Sequence, residues 1–176
     1  MELEPVNRPQ TVREFREILG LINQEVELKS SCGMDYRQLR DFLAQEKWKE
    51  ADRETERVML AVGKREKEGR LGWLFNSIDI DNFPCEDLSI IDKLWVKYSD
   101  GKFGFSVQKR IYQGFGGTRE YDFDIWEKFG DKVGWRKGGK WRIYNDMTFD
   151  KKAPEVHLPW VCVRIVNASL LSRRDL

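Results

Sequence analysis

More than half of the aromatic residues of this chain lie in one third of its length, between Phe103 and Trp160, on backbone repeatedly broken by glycine. Such a segment offers few regular helix faces on which large rings can be buried. The fold must either pack the rings as a Trp-rich core or leave some of them to a ligand. For any one ring the core is the simpler reading. For the set, flat side chains with Arg and Lys interspersed match a flat apolar ligand bearing carboxylate arms: the rings supply stacking area and the guanidiniums meet the anionic edge. Single-stranded nucleic acid stacked on the same rings is a competitor on composition alone. However, 31 Lys+Arg are balanced by 30 Asp+Glu, and a net charge of +1 lacks the basic footprint of a general nucleic-acid binder. No nucleic-acid partner is expected.

At 176 residues the chain is sized for one domain with an appendage. It can bury roughly 70% of the surface its unfolded form exposes, so neither metal nor disulfide is required for stability. Cys32, Cys85 and Cys162 are widely spaced and odd in number, which disfavours a secreted disulfide framework. Met1 is followed by Glu2 and Glu4, so no signal peptide is read there, and the longest mostly apolar run, Leu158–Leu171, contains Arg164 and Asn167 and is too short to span a bilayer. The expected location is cytoplasmic.

Catalytic readings fail in turn. His157 is the single histidine, so no His pair can hold zinc, and a Ser or Cys nucleophile would have that one base alone. Gly63-Lys64 is followed by Arg65 instead of the Ser or Thr of a phosphate loop, and Gly114, Gly116 and Gly117 lack the spacing of a dinucleotide fingerprint. Counted from Asp79, an EF-hand would meet Pro84 where it requires Gly and Ile90 where it requires Glu. No catalytic residue, resident metal or enzyme activity is expected.

Apolar spacing gives the organisation. Val12, Phe15, Leu19, Ile22 and Val26 recur at 3,4 intervals, a coiled-coil-like seam of about two heptads that needs a partner to be stable. Residues 1–34 thus read as an extended lead and an amphipathic helix that either packs on the main domain or forms a dimer through residues 11–29. The main domain is expected over 35–176. Asp35 can cap a helix presenting Tyr36, Leu39 and Leu43. After Gln45–Lys47 a second, antiparallel helix presents Trp48, Ala51, Thr55, Val58, Met59 and Val62, with Arg37, Arg40, Asp41, Lys49, Glu50 and Arg53 on the solvated outer face of the pair. Pro84 opens a third, with Leu88, Ile91, Leu94, Trp95 and Tyr98 as its buried stripe and Ser99-Asp100-Gly101 as its stop. A loop and helix occupy Phe103–Tyr112, and a short helix Asp122–Phe129. Lys137-Gly138-Gly139-Lys140, between Val133 and Tyr144, is a hairpin signal. For Trp160–Val166 strand and helix readings both stand. The fold class is all-α with one short β-hairpin near 133–144.

The stretches "DFLAQEKWKEADRETERVML" (Asp41–Leu60), "NFPCEDLSIIDKLWVKYSDGKFGFSVQKRIY" (Asn82–Tyr112), "KFGDKVGWRKGGKW" (Lys128–Trp141) and "APEVHLPW" (Ala153–Trp160) resemble the genomes-uncoupled tetrapyrrole-binding domain of cyanobacteria and chloroplasts. The resemblance runs from about Asp35 to about Trp160. It implies a predominantly helical fold like a cupped hand, whose apolar palm holds a porphyrin, in a protein that assists magnesium chelatase in chlorophyll synthesis. Carried over position by position, it implies that the two pocket tryptophans fall on Trp141 and Tyr144, and that apolar loop contacts fall on Phe75, Ile78 and Ile80. Trp135, Leu158 and Trp160 complete the expected palm. Porphyrin binders of the family follow "GHLP" with an Asn and then Leu-Arg-Gly, which approach the propionates. Here Val156 replaces the Gly, Cys162 stands for the Asn and Ile165 for the Arg. Arg164, one place off, is the candidate anion contact, and a one-residue shift on a helix turns a side chain by ~100°. His157, in the family's "HLP", is read as structural and not as an axial ligand.

The resemblance therefore implies a non-enzymatic module that delivers or senses protoporphyrin IX or its magnesium complex, or a linear bilin, with a magnesium-chelatase subunit as partner and peripheral contact with photosynthetic membranes. The alternative from another class is an interaction module that keeps the fold and has lost the ligand.

Overall fold

The computed structural model describes residues 25–63, 80–160 and 168–176. Asp35 accepts a hydrogen bond from the Arg37 amide (2.9 Å) in front of α1 (Arg37–Ala44); it caps from one residue before the N-cap position, which Tyr36 occupies. Tyr36, Leu39 and Leu43 are fully buried, so the expected face of α1 is the one that packs. The turn at Gln45–Lys47 leads into α2 (Trp48–Val62), which packs on α1. All six apolar or small positions expected on its inner face are buried. The face also takes in Asp52 and Glu54, which the spacing does not anticipate.

Helix α3 (Cys85–Tyr98) begins with Pro84 at the N-cap and buries Leu88, Ile91, Leu94 and Trp95 against the α1–α2 pair. The Trp95 indole N–H donates to the Thr55 hydroxyl (2.9 Å), which itself donates to the Ala51 carbonyl (2.8 Å), so the largest ring of α3 is hydrogen-bonded inside the core. Asp100 (φ 56°) and Gly101 (φ 81°) turn the chain out of the helix, and the Gly101 amide donates back to the Val96 carbonyl.

Gly104, in the "GFSVQKR" stretch, is fixed by close approach. A Cβ there would lie 2.8 Å from Val96 Cγ2 and 2.9 Å from Asp92 Oδ1, at a backbone φ of 132° that disfavours side chains. Asp92 reaches across from α3 and accepts from the Ser106 amide (2.9 Å), capping α4 (Phe105–Gly114) from a neighbouring helix. Helix α5 (Phe123–Lys132) is capped by the Asp122 side chain accepting from the Ile125 amide. It runs three residues past the expected end at Phe129, taking in Gly130. Strands β1 (Arg136–Lys137) and β2 (Lys140–Trp141) pair antiparallel with Arg136 opposite Trp141, and Gly138 and Gly139 supply the two positive φ values of the two-residue turn. A 3-10 turn (Leu170–Ser172) closes on α4.

One expectation is corrected. The 3,4 spacing through Val26 predicts helix up to Ser30, but residues 25–30 are irregular, which shortens any helical seam over 11–29. The physical reason is Asp87, in the first turn of α3. Its carboxylate accepts from the Ser30 and Ser31 hydroxyls, the Ser31 amide (3.1 Å) and the Tyr36 hydroxyl (2.8 Å), and these bonds compete with helix continuation. Val26 and Leu28 instead lie half-buried against the core. The other seam residues, Val12, Phe15, Leu19 and Ile22, lie outside the described residues, as does the segment 161–167 whose class the sequence left open. No helix among the described residues is long and apolar enough to cross a membrane.

Candidate functional site

The loop Ala153–Trp160 anchors everything aromatic that follows. The Gln108 amide donates to the Pro159 carbonyl (3.0 Å), the Gly104 amide to Leu158 (3.1 Å), and the Val156 amide to Lys102 (2.9 Å), so the start of α4 holds the loop along its length. His157 is buried at its centre. Nδ1 lies 2.7 Å from the Val133 carbonyl and Nε2 accepts from the Thr148 amide (3.2 Å), an arrangement that fits a neutral ring protonated on Nδ1. Burial pushes its pKa below the ordinary value. Both nitrogens are occupied, so the ring is a strut and not a metal ligand. Trp135 donates its indole N–H to the His157 carbonyl (2.8 Å), tying the hairpin to the same loop. Val156 takes φ 70° while its side chain is buried, so the position that carries Gly in the resembled family is left-handed here.

From this anchor two aromatic groups extend. The first is continuous from core to surface. Phe129 meets Trp135 edge-on (centroids 5.3 Å apart), Trp126 tilts against both, and Trp141 stacks on Trp126 at 6.3 Å and 29°. Tyr121 adds an exposed ring beside Trp126. The Arg136 guanidinium sits 5.8 Å from the Trp141 ring, but its charge is met by Glu127 and Asp131. The outer members Trp141 and Tyr121 are 39% and 61% exposed, so the group ends in solvent-facing ring surface.

The second group lies against the outer side of α2. Tyr144 meets Phe149 (5.0 Å) and Trp160 (5.3 Å), and the Trp160 amide donates to the buried Asp52 carboxyl (2.6 Å). Lys49 Nζ lies 5.7 Å from the centres of both the Tyr144 and Phe149 rings, and the Arg53 guanidinium 5.8 Å from Tyr144. Burial, with the nearby Asp52, raises the Tyr144 hydroxyl well above the ordinary tyrosine pKa, so it stays a neutral donor.

The sequence-expected palm residues are therefore divided. Trp141 belongs to the first group; Tyr144 and Trp160 belong to the second, although Trp141 and Tyr144 are only three residues apart. Trp135, Ile80 and Leu158 are fully buried within the core. Phe75, Ile78 and Arg164 lie outside the described residues. Lys49 and Arg53, assigned by spacing to a solvated face, and Phe149 are the members that sequence reasoning missed. No local sequence signal marks them, because the inward turn of Asp52 between Lys49 and Arg53 is not anticipated by the spacing. A separate surface hollow of about 580 Å³ lies over α1, lined by Asp35, Arg37, Arg40, Asp41 and Lys47 among others. Its Arg37–Asp35 and Arg40–Asp41 pairs satisfy one another. No cluster of three or more His, Cys, Asp or Glu suited to a metal ion occurs among the described residues.

The GUN4-like family model matches residues 29–173. An uncharacterized protein ycf53 of Porphyra purpurea is 33% identical over 148 residues, covering 84% of this chain and 58% of its own length. The tetrapyrrole-binding protein, chloroplastic, of Arabidopsis thaliana is 38% identical over 74 residues, 42% of this chain and 27% of that protein. The chain spans about half the length of the curated relatives it matches. Among solved structures, GUN4 from Chlamydomonas reinhardtii superposes with a TM-score of 0.65 at 30% identity, covering 84% of this chain and 92% of that one.

Proposed function

Because this chain belongs to the GUN4-like family, we propose that it is a non-enzymatic tetrapyrrole-binding module. The observation that carries this reading is the pair of aromatic groups on either side of the hairpin exit. Trp141, stacked on Trp126, and Tyr144, tilted between Phe149 and Trp160, carry ring surface at the outer ends of the two groups, and such surface suits a flat macrocycle. The name of the Arabidopsis relative supports the ligand class. Protoporphyrin IX and its magnesium complex are the proposed ligands, with a linear bilin as the alternative, and Phe75, Ile78 and Arg164 remain proposed contacts. A regulatory role toward magnesium chelatase, by delivering or sensing the porphyrin, is part of the proposal. The chemistry needed is stacking and dispersion; any metal would travel with the ligand, since His157 has no free nitrogen.

The test is a titration of the purified chain with protoporphyrin IX, magnesium protoporphyrin IX and a bilin, following the ligand's absorption band. Saturable binding of one of them supports the reading. Absence of any spectral change up to tens of micromolar refutes it. Refutation would favour the second reading, an interaction module. Ile143 (64% exposed), Phe123 and Tyr121 motivate that alternative, because large solvent-facing apolar side chains suit a protein partner.

A further inference from the structure

Lys49 and Arg53 stand four residues apart on α2, so both project from one helix face about 6 Å apart along its axis. Many other cations of the described surface are committed: Arg57 to Glu54, Arg119 to Asp81, Lys151 to Glu46 and Asp100, Arg136 to Glu127 and Asp131. Lys49 and Arg53 make no ion pair with another described residue; each lies against aromatic rings instead. Asp52, between them in sequence, turns inward to receive the Trp160 amide, so the rim carries two cations over one buried carboxyl. Beneath them lies the half-buried Tyr144 ring, tilted between the half-buried Phe149 and the buried Trp160.

We propose that Lys49 and Arg53 are the anion-recognition edge of the Tyr144–Phe149–Trp160 platform, taking the carboxylate arms of a flat aromatic ligand whose ring system lies on the platform. The inference rests on the tetrapyrrole reading and deepens it, because it assigns the contact that the resembled family draws from its C-terminal Asn and Arg to a different element of this chain. Two positive centres on one helix face select for ligands with two acidic arms over esters of the same ring system, since the stacking contribution is common to both. Both cations are accessible enough to be screened, so salt weakens the recognition.

The experiment compares protoporphyrin IX with its dimethyl ester on the full chain, for the wild type, the double variant K49Q/R53Q, the charge-retaining K49R/R53K, and R164Q. The expected result is that K49Q/R53Q weakens the diacid roughly tenfold, as two partly exposed ion pairs would. The ester should stay within twofold of wild type, and K49R/R53K should restore most of the diacid's affinity. Raising salt from about 0.05 to 0.5 M should weaken wild-type binding and leave K49Q/R53Q little changed. Circular dichroism melts confirm that the variants fold, and the salt response of the wild type tests the idea without any substitution. If K49Q/R53Q binds the diacid like wild type while R164Q does not, the inference is overturned and the tetrapyrrole reading stands. If the wild type binds neither compound, both fall.

Discussion

The Trp141 ring lies against Gly130 of α5: a Cβ built on that glycine would fall 2.5 Å from the ring's Cη2. A residue whose sequence context suggests a helix end is thus kept inside the helix so that an indole can come down on bare backbone and stack on Trp126. The exposed end of the first aromatic group depends on this contact. Gly130→Ala is expected to push Trp141 off its seat, destabilising the fold by about 1–3 kcal/mol as overpacked sites do, although alanine is the better helix former. Urea denaturation monitored by tryptophan fluorescence checks this. An unchanged or raised midpoint would mean that the ring has no fixed seat.

Val156 gives a second test through a reversal of the usual order. Val156→Ala and Val156→Gly both lose buried methyl groups, but only the glycine variant sheds the left-handed strain at φ 70°. The glycine variant is therefore expected to be about 1 kcal/mol more stable than the alanine variant. Equal stabilities, or alanine ahead, would contradict the assigned backbone conformation.

Asp87 predicts an acid-labile contact. Burial pushes its carboxyl up, but the hydrogen bonds from Ser30, Ser31 and Tyr36 outweigh burial and hold its pKa below the ordinary value of 3.8. A folded-state pKa below the unfolded one means that the contribution is complete above that ordinary value and is lost as pH falls through the folded pKa. Asp87→Asn should cost about 1–3 kcal/mol at pH 7 by leaving the buried Tyr36 hydroxyl and the less buried Ser30 and Ser31 donors poorly matched. The gap between wild-type and variant urea midpoints should narrow as pH is taken below about 4. A gap that stays constant down to pH 3 would show that the carboxylate charge is not what holds residues 30–36.

Much of the fold was legible because its helices bury ordinary amphipathic stripes. Leu39 and Leu43, Val58 and Met59, and Leu94 and Trp95 sit where 3,4 spacing puts them, and Gly138-Gly139 announces the hairpin. The parts that were not legible depend on polar groups working between distant segments. Asp87 captures Ser30 and Ser31, Asp92 caps α4 from α3, Asp52 holds the Trp160 amide, and Gln108 clamps the 153–160 loop. None leaves a local periodic trace, and in sequence each resembles an ordinary surface residue. The same limit applies to the candidate site. The aromatic concentration was visible, but the assignment of Trp141 and Tyr144 to different groups follows from where the chain turns after β2. Lys49 and Arg53 acquire meaning only when residues 144–160 are folded back over α2.

The central claim is that a tetrapyrrole is held on the ring surfaces ending at Trp141 and Tyr144. The most direct measurement is the dissociation constant of protoporphyrin IX for wild type, Trp141→Ala and Tyr144→Ala, read from the ligand's absorption band with folding verified by circular dichroism. Loss of a stacking ring is expected to weaken binding by about tenfold or more in each variant. Folded variants that bind within twofold of wild type would contradict the account.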